Sequence, residues 1–239
     1  MALELRGVVM DSADPVALGR FWSELLGRSS TEQNRGVAVS LGEQVDLVLV
    51  DAVDPNPGKN RLHFDLSSTS PDHQAELVHR ARALGAAPVD IGQGAVPWVV
   101  LADPEGNEFC VLEPREEYMA CGSVAALVVD ALDPPALAAF WSHATGLPMT
   151  REHPEYATVR RESGFWLEFV RVSEPKALPN RVRLDLSPVA DGNVGAELAR
   201  LETYGAAVNQ RDDGSAVLTD PEKNEFSVTA WRGISRRIG

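Results

Sequence analysis

The chain has only two cysteines in 239 residues, Cys110 and Cys121. Two are too few for a disulfide framework, so a reducing cytoplasm is the expected setting. Basic residues are also scarce. There are 22 Lys and Arg against 35 Asp and Glu, a net charge of -13. Such a chain repels a phosphate backbone, so nucleic acid is not an expected partner. The Arg236–Arg237 pair is too short to change this. No apolar run approaches the roughly 18 residues of a membrane span, so no membrane partner is expected. The start MALELRG has no basic stretch leading into an apolar one, and no secretory signal is predicted. P-loop, GxGxxG, HExxH, GxSxG and CxxC motifs are all missing.

What the chain does contain is itself, twice. ADPVALGRFWSELLG at 13–27 returns as LDPPALAAFWSHATG at 132–146, and NRLHFDLS at 60–67 returns as NRVRLDLS at 180–187. DPEGNEF at 103–109 returns as DPEKNEF at 220–226. The offsets are 119, 120 and 117 residues. Three blocks in one order at nearly one spacing mark a duplicated unit. The copies cover 1–116 and 122–233, with a polar boundary around EPREEYMACG at 113–122.

Each copy repeats a smaller pattern. LRGVVMDS (5–12) is β-rich. Asp14-Pro15 then supplies an N-cap and a first-turn proline. Leu18, Phe21, Trp22, Leu25 and Leu26 follow at helical spacing until Gly27. Strands at 36–40 and 45–51 precede the turn sequence DPNPGKN at 54–60. RLHFDLS (61–67), a helix from Ser70-Pro71 to Leu84, and strands near 87–91, 97–102 and 108–113 complete the copy. Copy two predicts helices near 133–144 and 190–204. The fold class is α+β, with two βαβββ modules per copy and eight strands and two helices in each. Paired modules can curl their sheets into a cup, which suits a small ligand.

On these residues the chain resembles the vicinal oxygen chelate superfamily, which includes glyoxalase I, bleomycin-resistance proteins and extradiol dioxygenases. The helix DPVALGRFWSELLG, the strand NRLHFDLS and the hairpin LADPEGNEFCVLEP carry the likeness, each with its counterpart in copy two. The resemblance implies tandem glyoxalase-like domains, each a curled, cup-shaped mixed sheet, arranged as a pseudo-dimer within one chain, with a further homodimer left open. It also implies a site of four inward residues, mostly His, Glu or Gln, that bind a divalent metal in the metal-dependent members.

Aligned by motif, those positions hold Gly7, Val48, His63 and Cys110 in copy one, and Ala126, Glu168, Arg183 and Ser227 in copy two. Each copy keeps one ligand of the family type, and Arg183 puts a cation where an ion would sit. A degenerate metal site follows, with no metal ligand assigned and no cofactor expected, although a divalent metal stays open through His63 with Cys110. That pair suits a soft ion such as zinc or a thiolate–imidazole couple; the plain alternative is a small buried cysteine. Glu168 with Arg183 would form a buried ion pair, structural or ligand-recognising.

Arg61, Arg181, Asp65 and Asp185 are shared by the copies and read as an Arg–Asp lattice along the strands. Trp22 and Trp141 fall on the apolar helix stripe and read as core. Trp98 and Trp166 are not shared, which makes them the better ligand-stacking candidates. Glu105 and the DPE turn carry no chemistry in this reading, and the positive φ of Gly106 is expected to pass to Asn224 or relax where Lys223 replaces it.

The expected function is metal-independent binding of a small organic molecule, with sequestration of a drug or metabolite as the resemblance to bleomycin-resistance proteins implies. The candidate ligand-binding residues are His63, Cys110, Trp98, Trp166, Glu168, Arg183 and Ser227; no catalytic residue is assigned. The alternative is a lyase, isomerase or dioxygenase-type enzyme using an atypical metal site or the His63/Cys110 or Glu168/Arg183 groups. The acidic charge favours a cationic ligand.

Overall fold

The computed structural model describes residues 3–33, 36–52, 58–189, 193–212 and 214–230. Part of the expected turn at 54–60, the residues 190–192 and the Arg236–Arg237 tail lie outside them.

Four βαβββ modules follow one another. The first is β1 (Leu3–Ser12), α1 (Pro15–Leu26), β2 (Ser30–Gln33), β3 (Gly36–Gly42) and β4 (Val45–Asp51). The second is β5 (Leu62–Leu66), α2 (Pro71–Ala83), β6 (Ala87–Pro88), β7 (Val99–Ala102) and β8 (Glu108–Val111). A single 3₁₀ turn, Glu116–Tyr118, links it to the third: β9 (Val124–Ala131), α3 (Pro134–Thr145), β10 (Met149–His153), β11 (Tyr156–Val159) and β12 (Trp166–Arg171). The fourth is β13 (Val182–Pro188), α4 (Val194–Thr203), β14 (Ala207–Asp212), β15 (Ser215–Thr219) and β16 (Glu225–Thr229).

The helix signals act as the sequence predicts. Asp14 and Asp133 each accept a hydrogen bond from the backbone N–H three residues on, at 3.0 and 3.2 Å, and Pro follows each cap. Gly27 and Gly146 end the two helices in the left-handed conformation. Gly19 lets α1 lie close on its sheet, because a Cβ there would meet Val37 Cγ1 at 2.6 Å.

The modules pair across the duplication. One sheet has the order β14-β15-β16-β13-β1-β4-β3-β2, and the other β10-β11-β12-β9-β5-β8-β7-β6. Each is therefore an open eight-stranded mixed sheet made of one module from each sequence copy. The first strands join the halves: β1 runs antiparallel to β13, and β5 to β9. Modules two and three thus share one sheet, and modules one and four share the other.

One apolar core serves both sheets. Trp22 of α1 packs edge-on against Phe64 and Phe109 of the second sheet, at 5.5 and 5.2 Å between centroids. Trp141 of α3 packs likewise on Phe226 of the first sheet at 5.1 Å. Each indole donates to a buried carboxylate at 3.2 Å, Trp22 to Asp103 and Trp141 to Asp220. Truncating either tryptophan to alanine would cost about 3–5 kcal/mol by the general cost of large core deletions. The sheet faces turned away from this core form the two cups.

Candidate functional site

Within every module the first and last strands lie parallel and adjacent, β1 with β4, β5 with β8, β9 with β12 and β13 with β16. Alternate residues on them face the core or the cup. In the second sheet Leu62, Phe64, Leu66, Phe109, Leu127, Val129, Leu167 and Phe169 face the core. The residues between them face the cup.

The ladder registers place those cup residues in two rows. Cys110, Asp65, Ala126 and Trp166 are paired across four neighbouring strands, and so are His63, Val128, Glu168 and Thr158. The first sheet carries the matching rows Ser227, Asp185, Gly7 and Asp46, and Arg183, Val9 and Val48. This regroups the candidates. The sequence set His63 and Cys110 beside Gly7 and Val48, but each copy's two modules lie in different sheets. His63, Cys110 and Glu168 share the second cup, while Gly7, Val48, Arg183 and Ser227 share the first. The ligand count becomes two family-type side chains in one cup and none in the other. The proposed Glu168–Arg183 ion pair does not exist, because the two residues belong to different sheets.

The first cup satisfies itself. Arg183 forms a two-pronged ion pair with Asp11, at 2.7 and 2.8 Å. Asp185 accepts from Ser227 Oγ at 2.5 Å and from Thr229 Oγ1 at 3.1 Å. Burial raises the Asp185 pKa, and the two hydroxyl donors oppose the shift.

The second cup does not. Asp65, the counterpart of Asp185, has a buried Oδ1 with no nitrogen or hydroxyl donor, only the weak Cys110 thiol beside the carboxyl, and His63 Nε2 stands 3.6 Å from it. Burial, reinforced by the charge of Glu168, raises the Asp65 pKa to about 7. Burial lowers His63 to about 4, so its imidazole is neutral at pH 7. Burial also pushes the Cys110 thiol up, with the Asp65 charge adding to it, so no thiolate forms by itself. The nitrogen of His63, a carboxylate oxygen of Asp65 and the sulfur of Cys110 all lie within 4.8 Å of one another.

An aromatic wall covers the opposite flank. Tyr118 packs edge-on against Trp166 at 4.7 Å and donates to Glu168 Oε1 at 2.7 Å. Burial raises the Glu168 pKa against that bond. The Trp166 Nε1 donor is buried with no oxygen or nitrogen acceptor, only the Cys121 sulfur beside it. Arg151 and Arg160 lie over the Trp166 ring at 4.9 and 4.4 Å, and Arg115 over Trp98 at 5.6 Å. Trp98 Nε1 donates to Gln93 at 2.9 Å. Trp98 and Trp166 thus both flank the second cup.

Two other expectations change. Arg61 and Arg181 make no lattice with the aspartates: Arg61 donates to the Glu174 and Asp130 carbonyls, and Arg181 to Asn60 Oδ1. The DPE turns do more than turn. Glu105 accepts from Ser12 Oγ and from the Ala13 and Asp14 N–H groups, anchoring the start of α1, and Glu222 accepts likewise from Leu132 and Asp133. Lys223 itself takes the positive φ, 69° against 83° for Gly106.

Strand alternation set Asp65 on the face of His63, but the sequence read it as part of the Arg–Asp lattice; Tyr118 was missed. Tyr118 lies in the boundary between copies, where no counterpart exists to compare.

A family model described as glyoxalase-like domain matches residues 7–112 and 126–229. Among solved structures, glyoxalase I from Zea mays superposes with a TM-score of 0.66 at 14% identity, covering 96% of this chain and 92% of that one. A putative dioxygenase from Bacillus subtilis gives 0.65 at 11% identity, covering 97% and 86%. No curated protein matches the chain.

Proposed function

We propose, from the premise that the chain belongs to the glyoxalase-like domain family, that it binds a small organic molecule in the cup of the second sheet. The observation that carries this is a buried acceptor, Asp65 Oδ1, and a buried donor, Trp166 Nε1, in the same cup, each facing only a weakly hydrogen-bonding cysteine sulfur, Cys110 and Cys121. A buried polar group left unpaired costs about 1–3 kcal/mol, and a ligand that pairs with both recovers it. The matched aspartate of the first cup has its hydrogen bonds filled by Ser227 and Thr229, so that cup is assigned a structural role.

The chemistry of the cup favours a dipolar ligand over the purely cationic one that the bulk charge implied. A donor group would meet Asp65 and Glu168, an unsaturated or aromatic face would stack on Tyr118 and Trp166, and oxygen-rich groups would meet Arg115, Arg151 and Arg160. Binding without turnover is sequestration, the role that the bleomycin-resistance likeness implies. Tryptophan fluorescence against a panel of metabolites and antibiotics tests it. Saturable quenching that Trp166→Phe removes is expected. A flat response across the panel contradicts it.

A second reading rests on the His63, Asp65 and Cys110 cluster. Nitrogen, oxygen and sulfur donors in one buried place fit a borderline divalent ion such as zinc. When bound, such an ion would supply Lewis-acid polarisation of a ligand carbonyl. The chain's own contributions would be a neutral His63 ready to ligate, Glu168 placed by Tyr118 to hold or move a proton, and the aromatic wall excluding water. Elemental analysis of purified protein separates the readings. About one zinc per chain, lost in His63→Ala, supports the ion; its absence after zinc loading leaves binding alone.

A further inference from the structure

A cavity of about 240 Å³ lies between residues 58–61 and 172–181, at the strand ends beyond the His63 and Arg183 rows. Its lining reverses the sign of the molecule. Lys59, Arg61, Lys176 and Arg181 line it, against Asp130 and Glu174. The two arginines are the matched NR pair of the duplication, brought to one place by the crossed pairing of modules.

The lysines are compensated. Lys59 pairs with Asp130 at 2.7 Å and Lys176 with Glu225 at 2.7 Å. The arginines are not compensated equally. Arg61 reaches Glu222 at 3.3 Å, gives its other bonds to backbone carbonyls, and keeps a buried Nε without a partner. Arg181 is 6% exposed and has no carboxylate within 4.0 Å among the described residues. It donates to Asn60 Oδ1, the Glu105 carbonyl and the Gly58 carbonyl, at 3.3, 3.3 and 3.5 Å. These lengths lie beyond the usual 2.7–3.2 Å of an N–H···O bond. Carbonyl bonding alone would make the arginines struts between the copies, but a strut has no need of a half-filled guanidinium beside a cavity. A buried charge without a counter-charge is costly, and an arginine fork matches the geometry of an oxyanion.

We propose that this cavity binds a small doubly charged oxyanion, a phosphate or a dicarboxylate, which bridges Arg61 and Arg181 and ties the two copies together. Inorganic phosphate and succinate are the two probes, each compared with sodium chloride at equal ionic strength. At 100-fold excess over Kd, the melting temperature of the intact chain should rise by about 5 °C or more. The probe that gives the larger rise identifies the source of the anion. Arg181→Lys keeps the charge but loses the fork and should weaken binding at least about tenfold. Lys59→Gln alters a half-exposed rim residue, spares the buried arginines, and should weaken it less. Trp166→Phe, at the other end of the second cup, should leave it unchanged. No rise and no titration heat with either anion at about 10 mM, in the millimolar range of weak binding, would overturn the proposal. So would a rise that survives in an Arg61→Lys, Arg181→Lys double variant, or one that Trp166→Phe removes, because the anion would then sit elsewhere.

Discussion

The two cups are built on the same plan and finished differently. Both have an aspartate at the same place on the first strand of a module, Asp65 and Asp185. In one cup the neighbour across the ladder is Ser227, a donor that meets the carboxylate. In the other it is Cys110, a poor donor whose thiol is itself pushed up by burial. Two residues earlier on the same strands, Arg183 neutralises Asp11, while the matched His63 is neutral and has no strong bond. The first cup is closed by its own polar pairs, and the second keeps unmet demands at its centre. Identical scaffolds thus differ through a few inward side chains, and the proposed function assigns the ligand to the second sheet on that difference.

The strongest test of that contrast is charge removal at the matched aspartates. In chelator-stripped protein the Asp65 pKa, raised to about 7, means the folded state holds the proton more tightly than the unfolded chain. Its stabilising contribution is complete below about pH 4 and is lost as the pH climbs through 7. Asp65→Asn should therefore be more stable than the parent at pH 8, by roughly 2–4 kcal/mol, with the gap closing toward pH 4. Asp185→Asn should gain less, because two hydroxyl donors already favour its charged form. Urea unfolding at pH 4, 6 and 8 measures both; equal gaps at all three would break the comparison.

Next in size is the position two residues earlier. Arg183→Met strips Asp11 of its counter-charge and should cost about 1–3 kcal/mol. His63→Met should cost less than about 1 kcal/mol, since a volume-conserving change removes no strong bond, yet it should abolish ligand or ion uptake. Parallel unfolding and binding assays separate the two effects.

Tyr118→Phe should cost about 1 kcal/mol by removing the donor to Glu168, and it should raise the Glu168 pKa further. NMR titration of the Glu168 carboxyl checks it. The smallest effect lies in the shared scaffold. Lys223→Gly should stabilise by up to about 1 kcal/mol by relieving a left-handed lysine, and Gly106→Lys should destabilise by a similar amount. Thermal unfolding reads both.

Much of this was legible in the sequence. The duplication gave the modules, Asp14-Pro15 and Gly27 gave the ends of α1, and strand alternation gave the inward faces of His63, Trp166 and Glu168. Which module pairs with which was not legible. Every module offers the same first strand as a partner, and the links between modules are similar in length, so chain reach does not select one pairing over another. That one ambiguity split His63 and Cys110 from Glu168 and joined Glu168 to Arg183 wrongly. Asp65 was masked because both copies share it: the same aspartate has its hydrogen bonds filled beside Ser227 in one sheet and stands beside Cys110 in the other.

The most direct test is a map of where small molecules and divalent ions act on the folded chain. Amide and indole NMR spectra, recorded with a panel of dipolar organic compounds and with zinc, would supply it. The account predicts shifts at His63, Asp65, Cys110 and the Trp166 indole, with the Trp22 and Trp141 indoles and the Asp11, Arg183, Asp185 and Ser227 amides unmoved. Shifts centred on Arg183, Asp185 and Ser227 instead would contradict it.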